Sequence, residues 1–242
     1  TDLRTIINNT FTGDRLEKLN KMYDDFEDRM IVAPASGKAA FHNAMVGGYV
    51  EHILHVVNMS QQIRDVWESN DAKINFTNEE LIFAALHHDL GNDYYIVQDN
   101  DWRVKNMGEI YTHNTDISTY MTVTDRSLFI LQHYGIEMSE WEYLGLMLTD
   151  GLYEDANEKY LKGYNPAWTL KSNIAYILHQ ADMMATHTEN DVWHRQDKKE
   201  SIKVQKSVTN IKAAVDTQVK EKFTKSTDAK DIFNELFGEA KK

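Results

Sequence analysis

The sequence predicts an all-α protein with a small β-hairpin and a helical C-terminal extension. Three observations carry this. Only two prolines and eleven glycines occur in 242 residues, so few positions break a helix. Apolar residues recur mostly at three- and four-residue spacing rather than in alternation. Two capping boxes mark helix starts, Thr77-Asn78-Glu79-Glu80 and Ser139-Glu140-Trp141-Glu142.

The elements follow in chain order. Residues 14–30 place Leu16, Leu19, Met22, Tyr23 and Phe26 on one stripe of a helix. Residues 31–38 read as a loop, and residues 46–67 as a second helix with Ile53, Val56, Val57 and Ile63 as apolar positions. The first capping box opens a helix through Leu81 to Leu86 that stops at Gly91. Tyr94-Tyr95-Ile96-Val97 and Trp102-Arg103-Val104 flank the turn-like Asp99-Asn100-Asp101, which predicts a hairpin within residues 94–111. Residues 124–134 close on Gly135, a usual place for a C-terminal glycine. The second capping box starts a helix to about residue 150, and residues 169–187 form a long helix. Helices over 202–223 and 228–237 make up the extension, giving three regions: 1–40, 41–196 and 197–242.

Hydrophobic residues make up 42% of the chain, enough to fold around a core. The net charge is -12 and uneven. Residues 197–242 carry eleven lysines against eight acidic residues; residues 1–196 carry 15 basic against 30 acidic side chains, a balance of -15. So acidic a region repels a nucleic-acid backbone at long range but does not exclude a small phosphate ligand. A bound divalent cation inverts the field locally. No cysteine is present, which excludes disulfides, thiolate metal sites and cysteine nucleophiles. No apolar run approaches the ~20 residues of a membrane span, and the start lacks a basic stretch followed by an apolar one. A cytoplasmic protein without membrane contact is the expectation. The alternating charge of the lysine-bearing extension reads as a solvated helix face, with an oligomer contact as the sharper alternative.

Chemistry concentrates at His42 with His52, at His87-His88-Asp89, at His113 and Asp150, and at Asp182. A His-Asp pair at a helix end offers an imidazole and a carboxylate beside one helix terminus. A histidine from the preceding helix and an aspartate from a later one would complete a mixed nitrogen–oxygen site of the kind helical bundles build. Imidazole suits Zn, Fe, Mn and Ni, while carboxylates suit Mg and Mn. Taken alone, the same residues also read as a helix-end cap and buried hydrogen-bonding pairs.

Three segments together resemble the HD-domain phosphohydrolase superfamily, in which the order is His, His-Asp, Asp. They are Phe41-His42-Asn43-Ala44 with Gly47-Gly48-Tyr49-Val50-Glu51-His52, then Ala84 to Asn92 around His88-Asp89, then Leu178-His179-Gln180-Ala181-Asp182. The Gly-Gly-x-x-Glu before His52 is most similar to the branch that contains the HD-type 3'-5' exoribonucleases, and the chain also looks like HD proteins of large tailed phages. The resemblance implies an HD-domain helical bundle and a divalent metal (Mn, Fe, Zn, Ni or Mg) on His52, His88, Asp89 and Asp182. It places His42 beside the site as a substrate or supporting group. His113 and Asp150 fall on segments that hold a second metal in some branches, with Asp150 standing where the family has histidine. Asn92 stands where the family often has a lysine.

Asp89 is the ligand expected to be indispensable to catalysis, and Asp93 is a candidate base or water-orienting group. Arg103 and Lys105 are expected to face phosphate from the hairpin, beside the stacking aromatics Tyr94, Tyr95 and Trp102. The activity implied is metal-assisted hydrolysis of a nucleotide or small phosphate ester. Two alternatives stand beside it: a 3'-5' exonuclease-like phosphodiesterase on single-stranded nucleic acid, and a non-catalytic nucleotide-binding module.

Overall fold

Helix periodicity and capping translate into a bundle built around one helix that is buried from its second turn onward. The computed structural model describes residues 2–195 apart from 115, 117, 118, 164 and 168, so the expected helices over 202–223 and 228–237 lie outside the described residues. The elements are α1 (Leu3–Thr10), α2 (Gly13–Met30), α3 (Gly48–Ser69), α4 (Asn78–His87), β1 (Tyr95–Val97), α5 (Asp101–Met107), β2 (Tyr111–His113), α6 (Val123–His133), α7 (Glu140–Met147), α8 (Glu158–Leu161) and α9 (Ile174–Arg195), with 3-10 turns at Leu90–Tyr94, Gly151–Tyr153 and Asp155–Asn157. The fold is all-α with a small antiparallel hairpin. None of the described helices is long and apolar enough to cross a membrane.

α4 is central. Every residue from Leu81 to His87 is buried, so its apolar character runs all round, as an enclosed helix requires. Both capping boxes form as expected: Thr77 accepts from the Glu80 amide and Ser139 from the Glu142 amide, each with the reciprocal bond. α3 packs along α9 and against α4, and α7 packs on α4 and α9. α2 buries Leu19, Met22, Tyr23, Phe26 and Met30 on one stripe, and α1, which periodicity did not single out, adds Ile7 to the same core.

The long helix expected over 169–187 spans Ile174–Arg195, and two further segments differ from the sequence expectation. The helix carrying the His-Asp pair ends at His87, and a 3-10 turn follows from Leu90. The hairpin exists, but Tyr95–Val97 pairs with Tyr111–His113 and not with residues 102–104. Residues 101–107 are helical instead, because the Asn100 side chain accepts from the Trp102 and Arg103 amides. Gly108, at φ 63°, ends that helix in the left-handed conformation. An asparagine cap had been read as a turn.

Close backbone approach fixes the turn that follows the His-Asp pair. The Gly91 amide donates to Ser127 Oγ at 3.0 Å, and Ser127 Oγ donates to the His88 carbonyl at 3.2 Å. A Cβ on Gly91 would collide with the Val123 backbone, so α6 can approach only a glycine here. Gly91→Ala is expected to destabilise the protein by ~1–3 kcal/mol through overpacking against an unyielding backbone. Urea denaturation with an unchanged m-value checks this; an unshifted midpoint would show that the turn and α6 separate at little cost.

Candidate metal centre

Each imidazole that matters comes from a helix position the core already dictates. His52 follows Tyr49 by three residues and precedes Val56 by four, on the buried stripe of α3. His88 terminates α4, where the chain leaves helical geometry at Asp89 (φ -108°, ψ 18°). Asp182 lies in α9 beside buried Ala181.

These three elements bring four side chains to one point. His52 Nε2 lies 3.2 Å from Asp182 Oδ1 and 3.8 Å from Asp89 Oδ2. His88 Nε2 lies 3.7 Å from Asp89 Oδ2 and 3.8 Å from Asp182 Oδ1. Ligand atoms held ~2.0–2.2 Å from one ion lie roughly 2.8–3.6 Å from each other in octahedral or tetrahedral arrangement, so these four nitrogen–oxygen separations need to close by at most a few tenths of an ångström.

The hydrogen bonds select the nitrogens. His88 Nδ1–H donates to the Ala85 carbonyl at 2.9 Å, and His52 Nδ1–H donates to Glu189 Oε2 at 3.0 Å. Both rings therefore turn Nε2 to the cluster, and His88 Nε2 is buried without a hydrogen-bond partner. A buried polar atom left unpaired carries its full desolvation cost, which a cation would remove. Two neutral imidazoles and two carboxylates sum to -2, the charge a divalent ion cancels. Buried His, Asp and Glu side chains here could thus hold a metal ion.

Electrostatics in the ion-free protein reflect the same crowding. Burial opposes charge on His52, yet its bonds to Asp182 and Glu189 and the nearby Asp89 hold its pKa up at about 10. Burial, and the Asp182 and Asp150 carboxylates, push Asp89 above the usual carboxylate range against the pull of His88 and His52. Desolvation opposes charge on the partly buried Asp182 too, but His52 and His88 bring its pKa down to about 2. The carboxylates are oriented by neighbours: Asn92 Nδ2 donates to Asp89 Oδ2 at 3.1 Å, and Thr186 Oγ1 donates to Asp182 Oδ1 at 3.3 Å. Asn92, at the position where the resemblance often has lysine, thus braces the Asp89 carboxylate.

The remaining candidates divide. His42 packs on His52, with ring centroids 4.8 Å apart, and its Nε2 is buried and unpartnered. Burial and His52 lower its pKa to about 4, so it is neutral at physiological pH. Its loop is pinned from α9, where Trp193 Nε1 donates to the Ala39 carbonyl and Asn190 Nδ2 to that of Ala40. His113 is half-buried and stacks on Tyr95 at 4.5 Å. Asp150 is exposed and accepts from Thr124 Oγ1. Among the described residues the metal-capable groupings are His52–His88–Asp89 and His42–His52–Glu189; the structure does not join His113 or Asp150 to either.

Asp93 is only 3% exposed and neither of its oxygens is hydrogen bonded. Burial raises its pKa well above the ordinary carboxylate value, against the pull of Arg29. Arg103 is exposed and spends its Nη1 donor on Glu109 at 2.9 Å, and Lys105 is 75% exposed, 3.9 Å from Asp101. Both sit on α5, which the sequence reading had as a hairpin turn and strand.

Sequence reasoning missed Glu189. It is 4% exposed, and its carboxylate accepts from His52 Nδ1 and, at 2.9 Å, from His55 Nδ1. The available signal was its spacing: seven residues after Asp182, two turns along the same helix face. Comparison with known proteins returns no matching family model, curated protein or solved structure.

Proposed function

We propose that this chain is an HD-type, metal-dependent phosphohydrolase that acts on a nucleotide or similar small phosphate ester. The observation that carries the reading is the convergence of His52, His88, Asp89 and Asp182 around an unpaired imidazole nitrogen. The resemblance of the three sequence segments to the HD-domain superfamily supports it as well.

In this reading His52 and His88 supply nitrogen ligands from the floor, being almost fully enclosed, while the Asp89 and Asp182 side chains are 23% and 22% exposed. The site therefore opens on its carboxylate side, and substrate enters there. A divalent ion, when bound, supplies Lewis-acid polarisation of a phosphoryl oxygen and an acidified water. Asn92 and Thr186 hold the two carboxylates against rotation. His42, neutral and a ring's width from His52, keeps charge out of the back wall. The acidic balance of residues 1–196 favours a compact anion over a polymer, whose backbone charge would be repelled along its whole length.

The test is hydrolysis of nucleoside mono-, di- and triphosphates and of a generic phosphodiester by protein stripped with chelator and reloaded with Mn or Zn. Phosphate release should require the metal and return on reloading. Release from oligonucleotides should not grow with length; a strong rise with length would move the assignment to the exonuclease reading. Full metal loading with no hydrolysis of any of these substrates would leave a binding module.

A further inference from the structure

The metal reading assigns His52 as a ligand but leaves open what holds its ring. We propose that Glu189 is a positioning residue that locks His52 for metal binding, acting from α9 through a carboxylate shared between His52 and His55. The inference rests on the metal reading of the preceding subsection and goes beyond its four ligands.

The geometry is specific. Glu189 reaches His52 Nδ1 with Oε2 at 3.0 Å and His55 Nδ1 with Oε1 at 2.9 Å. Each oxygen thus has its own imidazole, and the carboxylate plane is fixed at both ends. His52 and His55 are three residues apart on α3, so one side chain can span both. Oε2 also lies 3.9 Å from His42 Nε2, beyond hydrogen-bond reach. Glu189 continues the buried stripe of Ala181 and Ala185 on α9, where an acidic residue is costly unless partnered.

With Nδ1–H committed to Glu189, a neutral His52 has its lone pair on Nε2, the atom facing Asp89 and Asp182. A carboxylate behind a ligating histidine fixes the tautomer and ring orientation and makes the ligand nitrogen more basic. Loss of such a partner typically costs ~10–100-fold in metal affinity. Glu189 also takes no part in the cluster itself: its bond is to the far side of the His52 ring.

The experiment is titration of the chelator-stripped full chain with Mn and, separately, Zn, with dissociation constants measured by calorimetry. The chains compared are wild type, Glu189→Gln, Glu189→Asp and His55→Ala. Glu189→Gln retains the size but not the charge, and Glu189→Asp retains the charge but withdraws it from His52. Both are expected to bind ~10–100-fold more weakly. His55→Ala removes one of the two bonds that orient the Glu189 carboxylate but leaves the bond to His52, so it should weaken binding far less than the Glu189 variants do, which separates positioning from helix stapling. Melting of the metal-free variants is measured alongside. Wild-type affinity in both Glu189 variants would overturn this inference and leave the metal centre standing. An equal loss in His55→Ala would overturn it in favour of stapling. Wild-type protein that takes up neither ion would overturn the metal reading, and this inference with it.

Discussion

Asp182→Ala is expected to abolish both divalent-ion binding and hydrolysis while the helical bundle remains folded. Asp182 is the group nearest His52 Nε2, at 3.2 Å, and it also faces His88 Nε2 at 3.8 Å. Its removal takes away one ligand and half of the negative charge that balances the ion. Asp89→Ala should behave in the same way, since Asp89 Oδ2 faces both imidazoles. The fold should survive because neither carboxylate staples distant apolar surfaces, and Ala181 and Ala185 hold α9 in place. The check is metal content by elemental analysis together with phosphate release, with circular dichroism as the folding control. Either variant turning over substrate while free of metal would end the proposed mechanism.

The same geometry sets a pH dependence. In the ion-free protein His52 is held protonated up to about pH 10, and a ligand nitrogen must lose its proton to bind. Metal affinity should therefore rise with pH between roughly 6 and 9, with about one proton released per ion. For ion-free stability the sign is opposite. A histidine raised from its unfolded value contributes stability present in full below ~6.5, and lost as pH climbs through about 10.

Arg15→Ala is expected to have the largest effect on stability, away from the site. Arg15 Nη2 donates to Glu142 Oε1 at 2.7 Å and Nη1 donates to Glu79 Oε1 at 3.1 Å. Its guanidinium also lies 4.1 Å from the centroid of the Phe83 ring, on the central helix. The Glu142 side chain is 1% exposed, so truncation leaves a buried carboxylate with only its capping-box bond from the Ser139 amide. Removing one partner of a buried pair costs ~3–5 kcal/mol. Arg15 is 23% exposed and water can partly replace it, so the lower end, ~3 kcal/mol, applies. For a domain of this size that is ~6–12 °C in Tm. Burial already raises the Glu142 pKa. A carboxyl whose folded pKa is raised destabilises when ionised, so the Arg15→Ala deficit should shrink as pH falls through the carboxylate range. Thermal melts at several pH values check both statements; a shift under 1 °C at neutral pH would mean the pair contributes nothing net.

Which features were legible in the sequence follows from the range of the interactions behind them. Thr77 and Ser139 cap their helices through residues three positions away, so a short window contains both partners. The same holds for the stripe of α2 and for His88-Asp89 at a helix end. The Asn100 cap was equally local, but asparagine serves turns and caps alike, and only the amides of Trp102 and Arg103 decide between them. The order His52, His88-Asp89, Asp182 indicated which residues to examine. That they meet within 3.2–3.8 Å is a property of how α3, α4 and α9 pack.

The sequence by itself determined the helical class, the two helix starts marked by capping boxes and the list of candidate ligands, because those depend on hydrogen bonds and periodicities a few residues long. Only the tertiary structure decided that Glu189 backs His52 across 137 residues, that Arg15 meets Glu142 across 127, that Asn92 braces Asp89, and that Asp93 is buried with neither oxygen hydrogen bonded. A polar residue's role is set by what remains beside it after water has been excluded. Which side chains share a dry interior is fixed by helix-on-helix packing, which no local pattern records.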